Sequence, residues 1–122
     1  MKEEDIEYII SVLRRGTTTW PGRTRCINSK RYQKANPITG NIVWWRNCDK
    51  CGLETMVKDG LLEVDHIERI GGFEGCWDKM VRKMYCGDDN LQALCLSCHA
   101  KKSAVENAQH RFKRKSKAED SL

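Results

Sequence analysis

Apolar residues recur at helical spacing in two segments of this chain, one at its beginning and one beyond its middle. Residues 3–15 predict an amphipathic helix that ends at Gly16, because four apolar residues fall on one helical face. Residues 73–86 show the same spacing, with lysines and arginines on the opposite face, and predict another helix. The apolar positions are Ile6, Ile9, Ile10 and Leu13 in the first segment and Phe73, Trp77, Met80, Val81 and Met84 in the later one.

Shorter runs of β-branched and aromatic residues predict strands between and after these helices. Residues 42–45 have strand character and follow a turn. Residues 53–58 and 61–67 predict a hairpin, because the Asp-Gly pair at 59–60 favours a two-residue turn. Residues 91–94 predict one more short strand.

Three segments have weaker patterns. Residues 17–22 are interpreted as a connector, since Pro21 lacks an amide donor and disfavours regular structure. Residues 23–36 predict a short basic helix that ends before Pro37. A final helix is predicted from about residue 98, and its last turns have almost no apolar face.

The composition allows one domain with a modest core. The chain has 122 residues, of which 39% are hydrophobic and 7% are aromatic. Burial alone is therefore a weak guarantee of stability in a chain of this size. We expect the fold to depend on a bound metal.

Basic residues are concentrated in the first half of the chain. The net charge is +5, and residues 14–50 contain nine lysines and arginines against one acidic residue, Asp49. This excess predicts a polyanionic partner, and the alternative is a solvated surface without a partner. Trp44 and Trp45 should point to opposite faces of their strand, so that one enters the core while the other packs at the surface or stacks on a base.

The cysteines and the N-terminus indicate a cellular compartment. Seven cysteines are an odd number, and the first residues lack the basic start and apolar run of a secretory signal. No segment approaches the roughly 18 apolar residues that a membrane span needs. We therefore expect a cytoplasmic protein without disulfides and without membrane contact.

Four of the cysteines form two Cys-x-x-Cys knuckles. Each knuckle presents two thiolates from a tight turn, and two knuckles supply the four soft ligands of a tetrahedral zinc site. Buried free thiols are the alternative, and they are the expected state of the unpatterned Cys26, Cys76 and Cys86. The predicted zinc ligands are Cys48, Cys51, Cys95 and Cys98.

Residues capable of phosphodiester hydrolysis lie between and beside the knuckles. His66 carries an imidazole, which can be neutral near pH 7 and accept the proton of an attacking water. Asp65 and His99 can together hold a divalent ion that offsets charge on the phosphate and on the leaving oxygen. Asn90, taken alone, is an ordinary turn residue.

The order of knuckle, Asp65-His66, Asn90, knuckle and adjoining His99 resembles the HNH endonuclease family. The resemblance covers about residues 48–103 and is closest to small bacteriophage-encoded members. It implies an α+β fold, in which a zinc-stapled ββα-metal core carries flanking helices. The implied units are a basic N-terminal extension packed on the core, the nuclease core and a basic flexible tail, at residues 1–47, 48–110 and 111–122.

The same resemblance implies a role for each candidate residue. The counterpart of Asp65 binds the catalytic metal, His66 is the general base, Asn90 holds the loop that orients this base, and His99 completes the metal site. Some HNH proteins carry a further metal-binding histidine where this chain has Ser103, so water and phosphate would complete the coordination of Mg²⁺ or Mn²⁺. His110 lies about three helical turns beyond His99 and is interpreted as a surface residue.

The resulting prediction is a metal-dependent DNA endonuclease that nicks or cuts both strands, acts as a monomer or weak dimer, and belongs to a phage in its host's cytoplasm. Phage packaging proteins are further candidate partners. The alternatives are a non-catalytic zinc module that binds nucleic acid and a degenerate HNH scaffold in a protein–protein role. The predicted DNA contacts are Lys101, Lys102, Arg111, Lys113, Arg114 and Lys115.

Overall fold

The computed structural model describes the backbone of residues 1–120 and the side chains as far as Phe112. This part of the chain folds into four α-helices and two small antiparallel sheets, which confirms the predicted mixture of helix and strand. The helices are α1 (Glu3–Gly16), α2 (Pro21–Ser29), α3 (Trp77–Met84) and α4 (Leu96–Asp120). The strands are β1 (Tyr32–Ala35), β2 (Ile42–Asn47), β3 (Glu54–Met56), β4 (Leu62–His66) and β5 (Leu91–Cys95). None of the described helices combines the length and apolarity that crossing a membrane requires.

Helix α1 forms where the sequence predicts it and packs against α3. Its apolar stripe is half-buried, and the Tyr85 hydroxyl, just beyond α3, donates a 2.6 Å hydrogen bond to the carbonyl of Leu13. A Cβ at Gly16 would lie 2.5 Å from the Tyr85 hydroxyl oxygen. Gly16 therefore permits the close approach that joins these two helices.

The predictions for residues 17–36 are wrong in two places. Helix α2 begins at Pro21, inside the predicted connector, because proline fits the first helical position, where no amide donor is needed. It ends at Ser29, and the second half of the predicted basic helix is instead strand β1, which pairs with β2. Asn36 closes this hairpin, because its amide donates to the carbonyl of Asn41 at 2.7 Å and its own carbonyl accepts from Gly40.

The hairpin predicted around residues 59–60 is also wrong. Strand β3 pairs with β2, and β4 pairs with β5, so the two segments on either side of the Asp-Gly pair belong to different sheets. The favoured hairpin turn needs a positive φ at both central residues. Here Val57–Asp59 forms a 3-10 turn, Gly60 alone of the pair has a positive φ (61°), and no other residue type in the described backbone has one.

The two tryptophans of β2 point to opposite faces, as expected for a strand. Trp45 is 8% exposed, and its indole N–H donates a 3.0 Å hydrogen bond to the carbonyl of Lys34. Trp44 is 40% exposed and lies under the guanidinium of Arg31, 3.9 Å from the ring centre. Trp45 is therefore the core tryptophan of the predicted pair.

Strands β4 and β5 and the start of α4 bring the two ends of the candidate region together. The register places Leu62 opposite Cys95 and Asp65 opposite Gln92. Helix α3 lies between the two strands in sequence and is shorter than the predicted 73–86, because Gly75, with a φ of 83°, interrupts helical backbone just before it. Phe73 lies outside the helix, and its ring contacts that of Trp77. Helix α4 follows β5 directly and packs on both strands of this sheet.

Candidate functional site

The two knuckles meet, as the sequence predicts. Cys48 follows β2, Cys95 ends β5, and Cys98 lies in the first turn of α4. The sulfur atoms of the four cysteines lie within 4.8 Å of one another, and those of Cys51 and Cys95 are 3.7 Å apart. A tetrahedral zinc ion with Zn–S bonds of about 2.3 Å needs sulfurs about 3.8 Å apart. The donor set and its spacing therefore fit a structural zinc.

The knuckles also form part of the hydrophobic core. Cys48 and Cys95 are buried together with Leu94, and Leu62 packs against them. Burial opposes ionisation of Cys48, but hydrogen bonds from neighbouring backbone N–H groups lower its thiol pKa to about 6. Burial and the adjoining thiols raise the pKa of Cys98 to about 12. A bound cation is thus needed to hold all four residues as thiolates.

A buried ion pair fixes the first knuckle to its surroundings. Arg46 is 2% exposed and donates to both carboxylate oxygens of Asp49, at 2.9 and 3.1 Å. Its guanidinium also donates to the carbonyls of Cys26 and Ile27 in α2. The carboxylate of Asp49 accepts from the amide of Ala93 at 2.8 Å, which links the knuckle to β5. Burial opposes the charge, but Arg46 and this amide hold the pKa of Asp49 below its ordinary value.

A second feature is an open cleft of about 1170 Å³ between the end of β4 and α4. It is lined by Asp65 and His66 from β4 and by His99 from α4, so three of the four predicted active-site residues share it. Lys102 and Glu106 also line it from α4. The cleft therefore combines carboxylates, imidazoles and an ammonium group within one accessible space.

The imidazole of His66 has a defined hydrogen-bond partner. Its Nε2 lies 2.7 Å from the backbone carbonyl of Met84, the last residue of α3. A carbonyl only accepts hydrogen bonds, so this contact assigns the proton to Nε2. In the neutral ring Nδ1 is then an acceptor. The sequence does not reveal this partner, because a backbone carbonyl leaves no residue-type pattern.

Asn90 is not among the described residues that line the cleft, and it contacts instead the residues that follow β4. Its side-chain oxygen accepts from the amide of Glu68 at 2.9 Å, and its carbonyl accepts from the amide of Ile67 at 2.9 Å. Its own amide donates to the carbonyl of Gly87 at 3.1 Å. These bonds attach the loop that follows His66 to the turn that precedes β5.

Lys102 connects the two walls of the cleft. Its ammonium donates to the carbonyl of His66 at 2.9 Å and to the carboxylate of Glu106, and lies 2.9 Å from Asp65 Oδ2. The Asp65 contact is ionic and lies outside hydrogen-bond angles, so this buried oxygen accepts no hydrogen bond from the described residues. Burial opposes the charge of Lys102, but the two carboxylates raise its pKa, so the ammonium stays protonated.

The other predicted DNA contacts differ in their surroundings. Lys101 and Arg111 are exposed, whereas Lys102 is half-buried. The side chains of Lys113, Arg114 and Lys115 lie outside the described residues. Sequence reasoning missed Glu106, although its i,i+4 spacing from Lys102 indicates an ion pair. It also missed that His110, exposed as predicted, borders the same cleft.

Comparisons of the chain with models of protein families, with curated proteins and with solved structures find no match. The cysteine cluster suits a closed structural metal, since all four of its ligands come from the protein. The cleft combines an imidazole nitrogen that can accept a proton with the carboxylate of Asp65.

Proposed function

We propose that this protein is a metal-dependent DNA endonuclease of the HNH type, stapled by a structural zinc. The observation that carries the proposal is the hydrogen bond from His66 Nε2 to the Met84 carbonyl, in the same cleft as Asp65 and His99. It leaves Nδ1 of a neutral imidazole as a proton acceptor. A general base for the hydrolysis of a phosphodiester needs that state.

The order of elements around the cleft supports the assignment to a ββα-metal fold. Strand β4 provides Asp65 and His66, its partner β5 leads into α4, and α4 provides His99. Cys95 and Cys98 span the junction between β5 and α4, so a zinc ion held there would fix the direction in which α4 leaves the sheet. The zinc would thus position the cleft without contacting the substrate.

Asp65 and His99 are the residues that would hold the catalytic ion. Asp65 contributes a buried oxygen that accepts no hydrogen bond from the described residues, and His99 contributes an imidazole nitrogen. Two protein ligands would leave most of the coordination to water and phosphate oxygens, which suits Mg²⁺ or Mn²⁺. When bound, such an ion neutralises charge on the phosphate and on the departing 3′-oxygen.

The remaining roles belong to the protein's own side chains. His66 Nδ1 takes the proton of the attacking water, and the Met84 carbonyl keeps the ring in the required tautomer. Asn90 restrains the loop after His66 through its bond to Glu68. Exposed basic residues such as Lys101 and Arg111 are placed to contact DNA phosphates. A phage origin and a link to DNA packaging remain part of the proposal.

One observation favours a non-catalytic zinc module that binds nucleic acid. The ammonium of Lys102 already neutralises Asp65, as expected for an ion pair that only stabilises the fold.

An assay of DNA cleavage distinguishes the nuclease from the non-catalytic zinc module. Zinc-loaded protein should nick supercoiled plasmid with Mg²⁺ or Mn²⁺ and should not do so when EDTA replaces these ions.

Variants of the cleft then separate the base from the metal ligands. His66→Ala should lower the nicking rate by about 10² to 10⁴ and still bind Mn²⁺, whereas His99→Ala or Asp65→Ala should weaken Mn²⁺ binding in calorimetric titration. His110→Ala is the matched control, because it removes an exposed imidazole at the border of the same cleft. The proposal fails if His66→Ala nicks at the unaltered rate, or loses Mn²⁺ affinity as severely as His99→Ala.

A further inference from the structure

Lys102 is surrounded in the way that a bound cation is surrounded. Three oxygen atoms face its ammonium group: Asp65 Oδ2 at 2.9 Å, the carbonyl oxygen of His66 at 2.9 Å and a carboxylate oxygen of Glu106. The side chain is only 21% exposed, unlike that of its exposed neighbour Lys101. The ammonium of Lys102 thus occupies a position at which the surrounding oxygen atoms favour a positive charge.

The charges of this group do not cancel. Asp65 and Glu106 each carry one negative charge, and Lys102 supplies one positive charge, so a single negative charge is left over. The contact with Asp65 Oδ2 is an ion pair of 2.9 Å whose angles fall outside the hydrogen-bond geometry of the contacts with Glu106 and the His66 carbonyl. Of the three contacts, the one with Asp65 is therefore the one that Lys102 can release while keeping hydrogen-bonded partners.

We propose that Lys102 is an exchangeable counter-ion. Its ammonium neutralises Asp65 until a divalent ion binds there, and it then pairs with a DNA phosphate instead. This inference rests on the proposed function, because it takes Asp65 as a ligand of the catalytic ion. Like charges at one carboxylate repel each other, so Lys102 and the divalent ion compete for Asp65. A phosphate that draws the ammonium away favours the ion, and by linkage the ion favours DNA to the same extent.

Glu106 is the partner that keeps the exchange reversible. It lies one helical turn beyond Lys102 and accepts a hydrogen bond from the ammonium. Without its charge, Lys102 has Asp65 as its remaining carboxylate and should hold it more strongly. Glu106→Gln should therefore weaken Mn²⁺ binding, whereas Lys102→Met should strengthen it.

Calorimetric titration of Mn²⁺ into zinc-loaded protein tests the competition directly. Lys102→Met keeps an unbranched side chain that suits a helix but removes the charge, and it should bind Mn²⁺ about 5 to 150 times more tightly, the usual range of a coupling between sites. Lys102→Arg keeps the charge and should remain near the affinity of the unaltered protein. Lys101→Met, which removes the neighbouring exposed charge, is the matched control, and zinc content and melting temperature verify that each variant is folded.

Coupling to DNA is measured in the His66→Ala background, where a short duplex should stay intact. The duplex should raise the Mn²⁺ affinity of His66→Ala, after subtraction of Mn²⁺ binding to DNA alone. When Lys102→Met is added, this rise in affinity should be smaller by a factor of about five or more. Equal or weaker Mn²⁺ binding by Lys102→Met overturns the inference and leaves the nuclease proposal standing. Tighter binding in a protein that never nicks DNA supports the inference while the nuclease proposal fails. Absence of Mn²⁺ binding in every variant overturns both.

Discussion

The cysteine cluster and the cleft share the first turn of α4 but differ in the groups that they bring together and in the space around those groups. The cluster brings four like groups within 4.8 Å of one another, three of them buried or half-buried, and every ligand that a zinc ion needs comes from the chain. The cleft brings unlike groups together around an open space of about 1170 Å³, and it leaves a buried oxygen of Asp65 without a hydrogen bond from the described residues. The cluster could thus hold a metal with ligands from the chain alone, whereas the cleft leaves open space beside its polar groups.

The two regions meet in one turn of α4. Cys98 faces the cluster, while the next residue, His99, lines the cleft, and Lys102 follows one turn later. The direction of α4 relative to β4 sets the separation of His99 from Asp65. We therefore expect a one-way dependence, in which damage to the cluster destroys the cleft but changes in the cleft leave the cluster intact.

The largest expected effect is loss of the fold in Cys98→Ser. Structural zinc sites contribute about 10–16 kcal/mol, which matches or exceeds the whole stability of a typical domain, about 5–15 kcal/mol. The variant should lose the single zinc ion and its cooperative melting transition, as measured by elemental analysis and circular dichroism. Cys76→Ser, at a half-buried cysteine outside the cluster, should keep both. A zinc-free Cys98→Ser protein with an unchanged melt would show that the cluster does not hold the fold.

A smaller loss of stability is expected when the support of the cluster is removed in Arg46→Met. Breaking a buried ion pair by removing one partner costs about 3–5 kcal/mol. We expect the lower part of this range, because Asp49 keeps the exposed Lys30 at 3.6 Å and the amide of Ala93 as partners. Urea unfolding should report this loss while about one zinc per chain remains bound. Arg31→Met, which removes a guanidinium above the exposed face of Trp44, should change stability far less. Equal losses in the two variants would contradict a special role for the buried pair.

The candidate site was more predictable from sequence than the fold that carries it. A Cys-x-x-Cys knuckle is a local object whose two thiolates and turn lie within four residues, so its residue types predict its geometry. The meeting of Cys48 with Cys95 then follows from the metal's need for four ligands. Residue types at short spacing therefore predict a metal site of this kind.

Strand pairing is different, because it depends on partners far along the chain. The Asp-Gly pair at 59–60 favours a hairpin locally, yet β3 pairs with β2 and β4 with β5. The hydrogen-bond partner of His66 and the charged partners of Lys102 are likewise hard to predict from sequence. The contact of His66 with the Met84 carbonyl and the contact of Lys102 with Asp65 arise from tertiary packing, which no local pattern encodes.

Asn90→Ala tests whether the loop after His66, next to the cleft, can be loosened while the cysteine cluster stays intact. It leaves the amide of Glu68 without its partner, and because this amide is exposed the stability cost should be about 0.5–1.5 kcal/mol. The loop after His66 should exchange its amide hydrogens faster, and nicking should slow while zinc stays bound. Asn90→Asp keeps a side-chain oxygen as acceptor and should preserve the protection of Glu68. Unchanged exchange in Asn90→Ala would remove Asn90 from any positioning role.

The smallest effect on the folded protein is expected from deletion of residues 111–122, because the described residues of the cysteine cluster and the cleft precede that segment. The segment contains five lysines and arginines against two acidic residues, and basic residues that bind phosphates contribute affinity without sequence preference. The deletion should weaken binding to different duplexes by the same factor and lower the salt slope by about 1 for each phosphate that the tail neutralises. Melting temperature and zinc content should not change. A salt slope equal to that of the full chain would show that the tail does not bind DNA, and a fall in zinc content would show that α4 and the cluster depend on it.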